Sequence, residues 1–289
     1  MRSEPAGGVM NAVRTVRELH STPSLGLLYP KAALSFGARG SELPGVEYVR
    51  PEVAVDRAAL AAYSEVCGFG TGDVLPATYP HILAFPLAVR LMTDRGFPFR
   101  LPGLVHVGNR ITQHRPVSVG EGLRLRVWAD SLRDHERGRQ FDVHAEAAVG
   151  DEVVWEGVST YLRRTSSSQG SAPAELEALS PPSALWRVPS DIGRRYAAVS
   201  GDRNPIHLRR ITARLFGFPR AIAHGMWTKA HCLAAFSGRL PDAFTVDVRF
   251  KLPVLLPSSV EFRSARRGAD WEFSVRSARG PHLTGAITT

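Results

Sequence analysis

Cysteine is scarce in this 289-residue chain, which holds only Cys67 and Cys232. Two cysteines exclude a disulfide framework and suit a reducing compartment. Apolar runs are short: none approaches the roughly 20 residues that span a bilayer, so no transmembrane helix is expected. The opening Met1-Arg-Ser-Glu-Pro lacks the apolar core of a secretory signal, and together with the cysteine usage this predicts a cytoplasmic protein. Negative charge is also in deficit, with 27 Asp and Glu against 36 Lys and Arg, a formal net charge of +9. Such a balance favours acidic partners. The arginines are nevertheless spread along the chain, without zinc-finger spacing or a glycine/aromatic RNA-binding signature, so nucleic acid is not the expected partner.

What is present is the composition of a folded protein, 44% hydrophobic and 22% charged. The length accommodates two domains of roughly 100–150 residues. Residues 1–45 carry little periodicity and read as an N-terminal arm, with a short helix over 13–20 and an irregular glycine- and proline-bearing stretch over 26–45. Residues 46–164 then read as one unit. A strand-like stretch over 45–55 leads to a helix capped by Asp56 and ending near Gly68. A second helix over 81–92 is apolar on nearly every face and wants burial all round, although Pro86 argues for a kink or a shifted start. Strands follow over 104–112, 122–131, 139–149 and 153–164, with a turn over 134–138.

Residues 165–182, rich in Ser, Thr, Ala and Pro, form the expected linker. The pattern then returns over 183–289. A short helix runs from Pro189-Ser190-Asp191 to Tyr196, a longer one spans 223–236, and strands fall over 243–251, 259–266, 271–277 and 283–288. A helix followed by a strand meander, twice over, predicts an α+β fold. The halves can be laid on each other: Tyr63-Ser-Glu-Val-Cys-Gly68 matches Tyr196-Ala-Ala-Val-Ser-Gly201, and the register puts Phe69 opposite Asp202 and Val74 opposite His207. A shorter connection puts His81 opposite Gly225. The first half therefore lacks the polar residues of the second.

Those polar residues lie in two pieces, Tyr196-Ala-Ala-Val-Ser-Gly-Asp-Arg-Asn-Pro-Ile-His207 and Ala221-Ile-Ala-His-Gly-Met-Trp-Thr-Lys-Ala-His-Cys-Leu-Ala-Ala-Phe236. A carboxylate and an imidazole five residues apart in a Gly/Asn/Pro turn are suited to acid–base work. Taken alone, the same residues also fit an ordinary Asx turn whose aspartate caps a helix. His224 and His231 are seven residues apart, about 10 Å of helical rise, too far for easy joint metal ligation. His231 and Cys232 read as packed helical residues, and Ser200 has no strand-to-helix nucleophile elbow around it.

Ser200-Gly-Asp-Arg-Asn-Pro-Ile-His207 and Ile222-Ala-His-Gly-Met226, in this order and spacing, resemble the signature of the MaoC-like (R)-specific enoyl-thioester hydratases. The resemblance implies a double hotdog, two tandem units each with a long helix wrapped by an antiparallel sheet, of which only the second is catalytic. It implies reversible hydration of trans-2-enoyl thioesters, with Asp202 and His207 as the acid–base pair and the Gly225 N–H as oxyanion donor. Asn204, Ser200, His224 and Met226 would lie about the substrate, with Asn204 chiefly holding the turn and His224 chiefly structural. No metal or cofactor is implied. The substrate would arrive on coenzyme A or acyl carrier protein, and a homodimer is compatible with the family. Two other readings stay open, a hotdog thioesterase and a non-catalytic acyl-thioester-binding subunit.

Overall fold

The computed structural model describes residues 14–34, 40–164 and 181–289. The expected linker, 165–182, lies almost entirely outside the described residues. Among the described residues eleven strands form one sheet, beginning with β1 (Thr15–Glu18) of the N-terminal arm. The first half contributes β2 (Val46–Val53), β3 (Leu104–Gln113), β4 (Leu123–His135), β5 (Gly138–Val149) and β6 (Glu152–Arg164). The second contributes β7 (Ala184–Val188), β8 (Phe244–Phe250), β9 (Ser258–Arg267), β10 (Asp270–Ser277) and β11 (Gly280–Thr288). The spatial order is β1-β2-β4-β5-β6-β3-β8-β11-β10-β9-β7. Each half, numbered from its own first strand, has the same order 1-3-4-5-2. The halves are therefore two copies of one hotdog topology, joined edge to edge where β3 pairs antiparallel with β8.

Each sheet wraps a helix. In the first half α3 (Tyr79–Met92) is the apolar helix, and Tyr79, Ala84, Leu87, Val89, Leu91 and Met92 on it are all buried. The helix runs through Pro86 and begins two residues before the expected start, with Pro80 in its first turn, where a missing N–H is tolerated. In the second half α7 (Gly225–Ala234) buries Met226, Trp227, Ala230, Cys232 and Leu233.

The repeat is visible at the preceding helices, α2 (Arg57–Cys67) and α4 (Ile192–Ser200). Asp56 caps α2 by accepting from the Ala59 N–H at 2.8 Å, and Gly68 closes it in the left-handed region at φ 85°. Gly201 closes α4 at φ 74°. The equivalent tyrosines, Tyr63 and Tyr196, are both buried and face each other with ring centroids 6.2 Å apart.

The N-terminal arm departs from expectation twice. Of the helix expected over 13–20, the described residues 14–20 are not helical; β1 (Thr15–Glu18) pairs in parallel with β2, since an exposed Thr-Val-Arg-Glu run can satisfy its backbone on an open sheet edge. The stretch read as irregular contains α1 (Leu25–Leu34). The five-residue edge strand β7 was also not anticipated. Among the described residues, no helix is long and apolar enough to cross a membrane.

Candidate active site

The turn after α4 is held by its own side chains. Ser200 Oγ accepts from the Asp202 N–H at 3.2 Å, and Asp202 Oδ1 accepts from the Asn204 N–H at 3.1 Å. Asn204 caps the one-turn helix α5 (Pro205–Leu208), its Oδ1 accepting from the Ile206 N–H at 3.4 Å. Asn204 thus holds the turn. Ser200 is 5% exposed and is committed to the same turn. Following α5, α6 (Arg210–Leu215) leads back towards the start of α7.

The two motif pieces meet at His207. Its Nδ1 lies 2.8 Å from the Ile222 carbonyl oxygen. A carbonyl only accepts, so Nδ1 carries the proton and Nε2 of the neutral ring keeps a free lone pair. The Ile222 N–H donates in return to the Ile206 carbonyl at 3.2 Å, and a short bridge joins Ile222 to Leu255. His224 is 2% exposed and donates from Nε2 to the Asp202 carbonyl at 3.0 Å. Its Nδ1 is buried without a partner. One donor atom from each of Asp202, His207 and His224 lies within 4.8 Å of the others. Those three groups could offer ligands to a cation, but the His224 nitrogen facing Asp202 is already occupied as a donor. His231 Nδ1 donates to the Cys67 carbonyl at 2.9 Å, and its ring stacks on Trp227.

Burial pushes the Asp202 carboxyl up, but the His224 and His207 imidazoles, the Asn204 N–H and the Tyr29 hydroxyl outweigh it and hold the group below its ordinary value. Burial pushes the His207 imidazole down, against the pull of Asp202, and pushes His224 down to about 3. At neutral pH the set therefore consists of a carboxylate and two neutral imidazoles. Such a pair can take a proton from water and return it elsewhere.

Gly225 begins α7, and no side chain caps that end. The first N–H groups of the helix are thus left for another acceptor, where the helix dipole favours negative charge. Glycine has a steric reason at this position. A Cβ here would lie 2.9–3.1 Å from the ring of Phe250, so the neighbouring strand β8 enforces the residue. Met226 is turned into the core at 6% exposure. The first-half counterparts offer no equivalent chemistry: Val74 is 54% exposed and Phe69 packs against the core.

Sequence reasoning missed Tyr29, on α1, whose hydroxyl donates to Asp202 Oδ1 at 3.0 Å. It also missed the fully buried Lys229 of α7, whose ammonium donates to Asn109 Oδ1 at 2.6 Å, to the Asn109 carbonyl at 3.0 Å and to the Val246 carbonyl at 3.2 Å. Asn109 lies on β3 and Val246 on β8. Lys229 therefore pins the second-half helix to the seam between the two halves.

The family model described as MaoC like domain matches residues 178–281. The chain is 41% identical over 261 residues to 3-hydroxyacyl-thioester dehydratase X of Mycobacterium tuberculosis, covering 88% of this chain and 93% of that protein. A crystal structure of that dehydratase, HtdX, superposes with a TM-score of 0.76 over 83% of this chain and 98% of the other, at 41% identity. An acyl-ACP thioesterase from Bacteroides thetaiotaomicron shares the fold alone, with a TM-score of 0.56 at 11% identity over 83% of this chain and 96% of that one. Similarity along nearly the whole of the dehydratase, together with two hotdog units of matching strand order, establishes that this chain belongs to the MaoC-like dehydratase family and has its double-hotdog form.

Proposed function

We propose that the protein reversibly hydrates trans-2-enoyl thioesters to (R)-3-hydroxyacyl thioesters, with Asp202 and His207 as the acid–base pair. The observation that carries this reading is that, among the described residues, each member keeps one acceptor atom with no hydrogen-bond donor on it: Oδ2 on Asp202 and Nε2 on His207. A water held by those two atoms is polarised for attack. Its oxygen bonds to the β carbon, the C=C electron pair shifts towards the thioester carbonyl, and the proton taken up by the pair is returned to the α carbon. The Gly225 N–H, at the uncapped start of α7, is the donor that stabilises the transient enolate oxygen. Ser200 and Asn204 shape the turn, His224 supports Asp202 from behind, and Met226 bounds the site from the core side.

Either carrier, coenzyme A or acyl carrier protein, presents an anionic phosphopantetheine. The run 203–220, which joins the two motif pieces, carries Arg203, Arg209, Arg210, Arg214 and Arg220 and no acidic residue. A positive approach of this kind raises the encounter rate with an anionic thioester. Cys67 and Cys232 are free and buried, in keeping with a cytoplasmic setting.

The testing experiment follows a medium-chain trans-2-enoyl-CoA by enoyl absorbance and free thiol together. Loss of absorbance with the thioester intact is expected. Release of thiol would assign the chain to thioester hydrolysis, a chemistry this fold also houses.

A further inference from the structure

Asp202 Oδ1 is occupied twice, by the Asn204 N–H at 3.1 Å and by the Tyr29 hydroxyl at 3.0 Å. A carboxylate oxygen has two lone pairs, so Oδ1 has no capacity left for a substrate or a water. Oδ2 is different. Among the described residues the group facing it is His224 Nε2 at 3.8 Å, beyond hydrogen-bond length, and that nitrogen already donates to the Asp202 backbone carbonyl. The choice of reacting oxygen is thus made by a residue 173 positions away in the sequence.

We propose that Tyr29 is a positioning residue for the reaction: by occupying Oδ1 it sets the rotation of the Asp202 carboxylate and leaves Oδ2 as the reacting oxygen. This rests on the reading of Asp202 given above. The docking of α1 is not confined to one hydrogen bond. The positive φ of Gly201 favours glycine, and the Leu25 side chain packs over it, its Cδ1 2.6 Å from where a Cβ would stand. Burial and the Asp202 charge push the Tyr29 hydroxyl far above its ordinary value, so it remains a proton donor across the working pH range. A segment that precedes both hotdog units therefore completes the site built by the second.

The test compares Tyr29→Phe, Leu25→Ala and Asp202→Asn with the unmodified chain. Tyr29→Phe keeps the ring and removes the donor. It is expected to lower kcat roughly ten- to hundredfold, as a misoriented catalytic group does, with KM within about twofold and the thermal midpoint little changed. The acid limb of its kcat profile should move to higher pH, because Asp202 loses a donor that stabilises its charged form. Leu25→Ala, which loosens the arm while keeping the hydroxyl, should lower kcat in the same direction but less. A Tyr29→Phe protein with unaltered kcat and pH profile, beside an inert Asp202→Asn, would overturn the role of Tyr29 alone. An active Asp202→Asn would instead overturn the assignment of Asp202.

Discussion

The His224 imidazole lies over the His207 imidazole with ring centroids 3.7 Å apart and planes 27° from parallel. Two rings so close cannot both be charged at low cost, and burial together with His207 pushes His224 down to about 3. Its second duty is the hydrogen bond to the Asp202 carbonyl. His224→Phe retains a stacked ring but orphans that carbonyl. It is expected to lose about 1–3 kcal/mol of stability in urea titration, with kcat reduced roughly tenfold or more as the turn relaxes.

The buried histidines make stability depend on pH. Burial lowers His81 to about 4, and His106 and His224 to about 3, from an ordinary value of 6.5; His207 is lowered as well. Above 6.5 each ring is neutral both folded and unfolded, so the contribution of these groups is flat. Below 6.5 the unfolded chain binds protons that the folded chain refuses, and stability falls until each folded value is reached. Each pH unit in that window costs about 1.4 kcal/mol for each histidine held neutral. Urea midpoints measured from pH 7.5 down to 4 should therefore decline progressively below 6.5. A flat profile over that range would show that the rings are not held neutral.

The rate has the same sign. The proposed mechanism needs Asp202 ionised and His207 neutral, and both groups are depressed from their ordinary values. The acid limb of kcat/KM should thus fall below pH 6.5, with the neutral range on a plateau. A limb centred above 6.5 would contradict the account.

Gly225→Ala drives a methyl group into the Phe250 ring. Overpacking of that order destabilises by about 1–3 kcal/mol and shifts the start of α7. The double variant Gly225→Ala/Phe250→Ala should recover part of the activity lost by Gly225→Ala, which assays of the two variants would show. No recovery would mean that the methyl group obstructs the substrate itself.

Lys229→Met leaves two oxygens of Asn109 and the Val246 carbonyl without their buried donor. A loss of about 2–4 kcal/mol is expected, read as a lower urea midpoint. Nothing in the sequence marks this lysine as buried. A lysine in a helix ordinarily reads as solvated, and its partners come from β3 and β8, 120 and 17 positions away.

The comparison of sequence with structure follows the range of the interactions. Asp56 and Gly68 bound α2 through local hydrogen bonds, so that helix could be read from the chain. Strands β3 to β6 and β8 to β11 alternate or run apolar for long enough to be recognised within a few residues of their ends. The acid–base turn is likewise local, spanning Ser200 to His207. Strand β1 is exposed along its length and forms only by pairing with β2, and α1 has no acidic first turn to announce it. Tyr29 could not be found for the same reason: its meaning comes from Asp202, in the turn after α4 of the second half. The two halves also conceal their seam, since the β3–β8 pairing leaves no periodic signal in either strand.

The most direct test of the central claim is the hydration rate of Asp202→Asn and of His207→Ala, each followed by enoyl absorbance and free thiol against the unmodified chain. If the two groups act as one unit on a shared water, each substitution should reduce kcat by roughly a thousandfold or more, and the double variant should be little worse than either. The fold should survive in both. Either variant retaining near-native hydration, or thiol release that persists in both, would contradict the assignment.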